Sequence, residues 1–392
     1  MDRLPFSQLP IDRSEILQSD LNIDNRSRTN LFAWNGQFSP QFVEVILDKY
    51  CDANSKVLDP FSGSGTVLGE AARLGIESYG VELNPAPYYM SKTYELCTVK
   101  KSDRDKTLTD ITNLIYLAIQ KDDILQALNE IHASEDGVAK DILNIYYVLL
   151  DLYNHELTTE WVLKQWYHLC QIIDQLPVVS TNVTAYLGDA RHIPLHDNSI
   201  DFVLTSPPYI NVFNYHQKYR RSVENIGYDV LKIAKAEIGA NRKYRSNRLF
   251  TVVQYCIDMA LVIKELLRLC NEKARIVFVI GRESTVLGCS FCNSELIYNL
   301  FSDVFSCNLL LRQERVFKNR YGQMIYEDIL HFDVNKESAA ISDNNIVELA
   351  RNVAQQALRL TQEHCDSLAT LTMIDNALQS IMKIEKSEEV FT

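Results

Sequence analysis

The chain has 392 residues, 46% hydrophobic and 23% charged, an ordinary globular composition with room for one large domain and an accessory one. A net charge of -12 excludes a surface coated in basic residues, though not a local basic patch. No apolar run reaches about 18 residues, and Met1-Asp2-Arg3-Leu4-Pro5 lacks the apolar core of a signal peptide, so a cytoplasmic protein with no membrane partner is expected.

Residues 1–28 are polar and aperiodic and read as an N-terminal arm. Residues 42–47 read as a helix, with Ser39 at the N-cap and Pro40 in the first helical position. Residues 56–59 read as a short buried strand, and residues 67–74 as a helix that Gly75 ends. Residues 78–82 supply the next strand, so strand, glycine turn, helix and strand form a βαβ unit and imply a parallel sheet.

Residues 97–180 break this alternation with long helical stretches, including 108–119 and 142–153, and with a cluster of Trp161, Trp166 and Tyr167. They read as a helical insertion. The α/β pattern resumes with a strand at 183–187 and another at 200–205. A helix over 251–269 and an apolar strand over 275–281 follow, the latter buried on both faces. Residues 305–311 and 325–332 are expected to close the sheet as a hairpin, and residues 336–392 form a helical tail suited to a cap or a homodimer contact.

Nine scattered cysteines, an odd number, read as reduced thiols. Cys289-Ser290-Phe291-Cys292 is a lone C-x-x-C, and no metal site is expected from it.

Two short segments carry the chemistry. The first is Asp59-Pro60-Phe61-Ser62-Gly63-Ser64-Gly65-Thr66, a glycine loop between strand and helix. Gly63 and Gly65 let backbone N–H groups approach a ligand. The spacing fails the dinucleotide pattern, because the next glycine is Gly69, one place late, and no Gly-Lys-Ser/Thr ending makes it a P-loop. Asp59, Glu82 and Asp189 fall at three strand ends, on the edge where such sheets bind ligands. A carboxylate at Asp59 suits a cationic group, and one at Glu82 suits ribose hydroxyls. Asp189, with the Ala190 N–H beside it, suits an adenine edge.

The second segment is Thr205-Ser206-Pro207-Pro208-Tyr209, at the end of another strand. An amino group attached to an aromatic ring is a poor nucleophile, because its lone pair is delocalised into the ring. The Ser206 hydroxyl and the Pro207 carbonyl can accept hydrogen bonds from such an amino group and favour a tetrahedral nitrogen. The prolines stiffen the backbone and add no competing N–H. Tyr209 can stack on an aromatic ring of a substrate.

In this order, the two segments resemble the S-adenosylmethionine-dependent methyltransferases that modify exocyclic amino groups of DNA bases. The resemblance spans residues 29–95 and 183–335. It implies an α/β, Rossmann-like methyltransferase fold with a mostly parallel sheet, here with a helical insertion and a helical C-terminal tail. It places a cofactor-binding half at 29–96 and a catalytic half at 181–335. S-adenosylmethionine is the implied cofactor, held by Asp59, Phe61, Ser62, Gly63, Ser64, Gly65, Thr66, Glu82, Leu83, Asp189 and Ala190. The segment around Trp34, Ser39 and Pro40 resembles the one that closes over the methionine end. Ser206, Pro207, Pro208 and Tyr209 are the implied catalytic residues.

A serine before the two prolines is commonest in cytosine-N4 enzymes, so cytosine N4 is favoured over adenine N6. RNA as substrate and a non-catalytic regulatory subunit stay open as alternatives. Double-stranded DNA is the expected partner, with a cognate restriction endonuclease or other defence-system subunit beside it. DNA contact is expected over residues 210–250, which mix Asn211, Tyr215, His216 and Tyr219 with Lys218, Arg220, Arg221, Arg242, Lys243, Arg245 and Arg248. Arg315, Lys318, Asn319, Arg320 and Tyr321 are a second such group.

Overall fold

The computed structural model describes residues 5–25, 27–210, 215–240, 244, 246–319 and 322–391. Asn211, Arg242, Lys243, Arg245, Arg320 and Tyr321 lie outside the described residues, as does the Tyr215 side chain.

Local signals in the chain account for the first elements. After α1 (Gln18–Asn22), α2 (Pro40–Tyr50) begins at the proline whose fixed φ suits a first helical turn. β1 (Lys56–Asp59), α3 (Thr66–Leu74) and β2 (Glu77–Glu82) form the βαβ unit. α3 stops at Gly75, where φ is 70° and the N–H turns back to the Ala71 and Ala72 carbonyls. α4 (Pro85–Lys92) is capped by Asn84, which accepts the Ala86 N–H at 3.0 Å. The insertion consists of α5 (Lys101–Ala118), α6 (Ile124–Ser134), α7 (Gly137–Leu150) and α8 (Thr159–Asp174).

β3 (Val183–Leu187) and β4 (Ile200–Thr205) resume the sheet. Short helices α9 (Arg220–Asn225) and α10 (Val230–Ile233) precede the long α11 (Phe250–Leu269) and β5 (Cys270–Gly281). A small hairpin of β6 (Glu283–Val286) and β7 (Cys289–Cys292) leads into α12 (Asn293–Asn299). β8 (Leu309–Lys318) and β9 (Met324–Phe332) close the sheet, and α13 (Asp343–Glu363) and α14 (Leu368–Ser380) follow.

The main sheet has seven strands in the order β3-β2-β1-β4-β5-β9-β8. The first five are parallel, and β9 runs antiparallel between β5 and β8. This is the expected Rossmann-like methyltransferase sheet. The chain winds outward from β1 through β2 to β3, then returns to start again at β4 on the other side of β1.

Alternation along the strands decides what each face holds. Ile276, Phe278 and Ile280 of β5 join a core with α11, α12 and α13, while Val277 and Val279 join one with α2 and α3. α11 is buried on nearly every side, because α13 covers the surface that the sheet does not. The tail's amphipathic α13 is therefore a cap on this layer, through Ile346, Ala350, Val353, Ala354 and Leu358.

The insertion builds a third core, and it is continuous with Leu68 and Ala72 of α3 and with Val183 and Ala185 of β3. Trp166 is fully buried, edge-on to Tyr146 at 5.3 Å. Tyr167 is 46% exposed and Trp161 stacks on His155, so the expected Trp161/Trp166/Tyr167 cluster is not one contact.

Two further expectations need correction. The hairpin's first strand starts at Leu309, not 305, because residues Leu300–Val304 wind as a π-helical turn that ends at Phe305. Residues 1–28 are not a loose arm where described. Phe6, Ile16 and Leu21 are buried, and the Arg312 guanidinium donates to the Phe6 carbonyl at 2.9 Å. Among the described residues, no helix is long and apolar enough to cross a membrane, and no group of three His, Cys, Asp or Glu side chains is arranged for a metal.

Because Trp166 fills the junction of the insertion helices, Trp166→Ala is expected to lower unfolding stability by about 3–5 kcal/mol, read from the denaturant midpoint.

Candidate active site

The winding of the sheet puts the C-terminal ends of β1 and β4 side by side, at the point where strand order reverses. A cleft outside those ends is where ligands enter such sheets. Here Asp59 ends β1 and Thr205 ends β4, and the Thr205 hydroxyl donates to Asp59 Oδ1 at 2.7 Å. This bond joins the two sequence segments directly, across 146 positions of chain. The Phe61 N–H donates to the same oxygen at 3.1 Å.

The cleft is acidic. Asp59, Glu82, Asp189 and Glu237 line it, and no Lys, Arg or His does so among the described residues. Burial pushes the Asp59 carboxyl up to about 7, against the pull of its Thr205 and Phe61 donors. Burial likewise pushes Glu82 up to about 7, although the Asn84 and Gly63 N–H groups donate to its two oxygens at 2.8 and 2.9 Å. Two buried acids without a basic partner suit a ligand that brings its own positive charge.

The glycine loop points the same way. The N–H groups of Ser62, Gly63 and Gly65 are spent internally, on the Val81 carbonyl, on Glu82 and on the Ser62 carbonyl respectively. The expectation that Gly63 and Gly65 offer free donors therefore does not match the structure. The loop instead gives a ligand close access to backbone. Gly65 is fixed by crowding, since a Cβ there would lie 2.7 Å from the Ser91 backbone at a φ of +85°.

The expected cofactor residues divide into two groups. Trp34, Asp59, Phe61, Ser62, Gly63, Thr66, Glu82, Leu83, Asp189 and Ala190 line the cleft. Ser39, Pro40, Ser64 and Gly65 do not. Ser39 stands at the start of α2, but its side chain makes no capping bond. Ser64 supports the wall from outside by donating to Gln37 Oε1 at 2.6 Å. Trp34 packs near Gly63 and stacks on Tyr219 at 6.4 Å.

Asp189 is not free to act alone. Its Oδ1 accepts from the Arg191 backbone and Nε at 2.9 Å each, and its Oδ2 accepts from Arg191 Nη2 at 2.6 Å. An acceptor for an adenine amino group would have to use the remaining lone pair of Oδ2.

Ser206, Pro207, Pro208 and Tyr209 all line the same cleft. The Tyr209 ring lies against Gly281 at the end of β5, where a Cβ would sit 2.9 Å from it. Sequence reasoning passed over Gly281, and its signal was a glycine at the end of an apolar strand. It also passed over residues 236–240. Ala236, Glu237, Ile238 and Ala240 form a further wall of the cleft.

Part of the expected DNA-contact segment is therefore a wall of the cofactor cleft. Lys218, Arg220 and Arg221 in it are engaged within the protein. Lys218 donates to the Ala33 carbonyl at 2.7 Å and lies over the Trp34 ring, and its burial lowers its pKa. Arg220 donates to Glu224 at 2.6 Å, and Arg221 lies over Tyr153. Arg248 is exposed. In the second group, Arg315 is buried, lies over Phe42 and pairs with Glu327 at 3.1 Å, so it is a structural cation.

The raised acids give a pH dependence. Apo stability should fall as pH rises from the ordinary carboxyl values of 3.8 and 4.5 to about 7, because the folded state holds protons that the unfolded state has released. Affinity for a ligand whose ammonium meets Asp59 should run the other way. Titration calorimetry with S-adenosylhomocysteine is expected to show affinity climbing up to about tenfold per pH unit below 7 and levelling above. In Asp59→Asn this contribution should vanish.

Residues 12–93 match the N6/N4 methyltransferase family, described as DNA methylase. The Type II methyltransferase M.MjaII of Methanocaldococcus jannaschii is 38% identical over 52 residues, which are 13% of this chain and 10% of that protein. The chain thus matches about a tenth of the length of that relative. An S-adenosylmethionine-dependent methyltransferase of Methanosarcina mazei aligns at TM-score 0.35 and 12% identity, over 74% of this chain and 96% of the other. The rRNA methyltransferase aviRa of Streptomyces viridochromogenes aligns at 0.33 and 11%, over 86% and 96%. Strand order, not these distant structural likenesses, carries the fold assignment. The family match covers Asp59, the glycine loop and Glu82 together, and it supports an amino-methyltransferase of the N4/N6 family with S-adenosylmethionine as methyl donor.

Proposed function

We propose that the chain methylates DNA at the exocyclic N4 of cytosine, in a base swung out of its duplex, as the modification activity of a restriction-modification or related defence system. The observation that carries this reading is that Ser206-Pro207-Pro208-Tyr209 and the three strand-end acids share one cleft.

Bound S-adenosylmethionine supplies an electrophilic sulfonium methyl. Asp59, with its burial-raised pKa, would take the ammonium, and Glu82 the ribose hydroxyls. Asp189 and Ala190 would meet the adenine edge, and Trp34 and Phe61 would add apolar walls. On the substrate side, the Ser206 hydroxyl and the Pro207 carbonyl would accept hydrogen bonds from the amino group of the target base. Because Pro207 and Pro208 carry no N–H, the turn presents acceptors without competing donors. The Tyr209 ring, backed by Gly281, is the surface on which the base would stack. These contacts strengthen as the nitrogen becomes tetrahedral, so they favour the transition state over the ground state.

The favoured target is cytosine because serine precedes the prolines. The name of the matched relative, a Type II methyltransferase, accords with a modification role beside an endonuclease. DNA contact through Arg242, Lys243, Arg245 and Arg248 belongs to the same proposal.

The test is to incubate the protein with S-adenosylmethionine and unmethylated DNA of varied sequence, then digest to nucleosides for mass spectrometry. N4-methylcytosine is expected. N6-methyladenine would keep the chemistry and overturn the choice of base. The absence of both products, with cofactor binding confirmed, would contradict the reading. Ser206→Ala is expected to lower kcat by about 10²-fold or more while cofactor affinity is retained.

A further inference from the structure

Beyond α14 the chain returns to residues that flank the cleft. Ser387 is buried, and it meets Arg191 and Asp258, which are buried as well. Arg191 Nη1 donates to Asp258 Oδ1 and to Ser387 Oγ, both at 2.9 Å, and also to the Ser387 carbonyl at 3.2 Å. Its Nη2 donates to the Glu388 carbonyl at 2.8 Å while holding Asp189 Oδ2 at 2.6 Å. The Ser387 N–H donates to Asp258 Oδ1 at 2.9 Å. One guanidinium is thus shared between a cleft acid, a helix α11 acid and the 387–388 backbone.

Ser387 also reaches the opposite wall. Its hydroxyl stands 3.4 Å from the Ala236 carbonyl, in the segment that lines the cleft beside Glu237 and Ile238. Outside, His192 faces Glu389 at 3.1 Å and Lys235 faces Glu388 at 3.7 Å. The segment therefore grips both the 189–192 turn and the 235–236 turn.

Holding a segment in place does not call for this arrangement. Apolar packing stabilises as well as buried ion pairs or better, since the desolvation of each ion offsets much of the attraction. What the network adds is geometry. It fixes the rotamer of Asp189 by a two-pronged bond, and it fixes the spacing between Asp189 and Ala236.

We propose that residues 385–389 are a strap that sets the adenine end of the cofactor cleft, with Ser387, Arg191 and Asp258 as positioning residues for Asp189 and the Ala236 wall. This rests on the reading of the cleft as an S-adenosylmethionine site. The strap touches no reacting atom; it acts through Asp189 and Ala236.

The test uses the full chain with S-adenosylhomocysteine and adenosine as calorimetric probes. Ser387→Ala and Arg191→Lys are expected to weaken both probes by the same factor, about tenfold, because adenosine carries only the end that the strap positions. Ser387→Thr, which keeps the hydroxyl, should restore most of the loss. Coupling is reciprocal, so S-adenosylhomocysteine should slow amide hydrogen exchange in residues 384–391 of the unaltered protein, a readout that needs no variant to fold. Unchanged affinity in folded Ser387→Ala and Arg191→Lys would overturn the strap. Exchange in 384–391 indifferent to ligand would overturn it too. If the unaltered protein binds neither probe, the cofactor reading itself fails and the strap falls with it.

Discussion

The Thr205–Asp59 hydrogen bond, at the junction of β1 and β4, is the constraint on which the rest of the site depends. A parallel sheet that winds outward from one strand and then restarts beside it must leave a crevice between two adjacent strand ends. The register pairs Val57 with Phe202 and Leu58 with Val203, so the last residues of β1 and β4 reach that crevice together. The glycine loop leaves from one end and the proline turn from the other. A donor-binding half and an acceptor-binding half, far apart in sequence, thereby become two walls of one cleft.

Electrostatics then narrows what the cleft can hold. Among the described residues no base lines the cleft beside its acids, which makes them costly to ionise when buried, and burial pushes Asp59 and Glu82 up to about 7. A cationic ligand relieves that cost by staying beside them. The glycine loop adds to the same selectivity, because the Ser62, Gly63 and Gly65 N–H groups are already bonded within the protein.

Much of this was legible from sequence because the signals are local. Pro40, Gly75 and the alternation through 276–280 set their own elements within a few residues. Asp59 and Ser206 could be placed at strand ends for the same reason. What was not legible depends on distant partners. Lys218 and Arg315 look like free cations until tertiary contacts spend them on Trp34 and on Glu327. Arg191 sits two positions from Asp189, yet its other partners lie at Asp258 and Ser387. Nothing in the composition of 236–240 marks it as a cleft wall, which becomes visible only when the chain folds back over the sheet edge. The hairpin's late start was hidden because a π-helical turn over Leu300–Val304 has no sequence period of its own.

The central claim is that one cleft at the β1–β4 junction holds the methyl donor. A crystal structure of the protein grown with S-adenosylhomocysteine tests it most directly. The account predicts ligand density in that cleft, with the ammonium at Asp59, the ribose hydroxyls at Glu82 and the adenine between Asp189 and Ile238. Density elsewhere, or a ligand turned so that Asp59 meets the adenine, would contradict it.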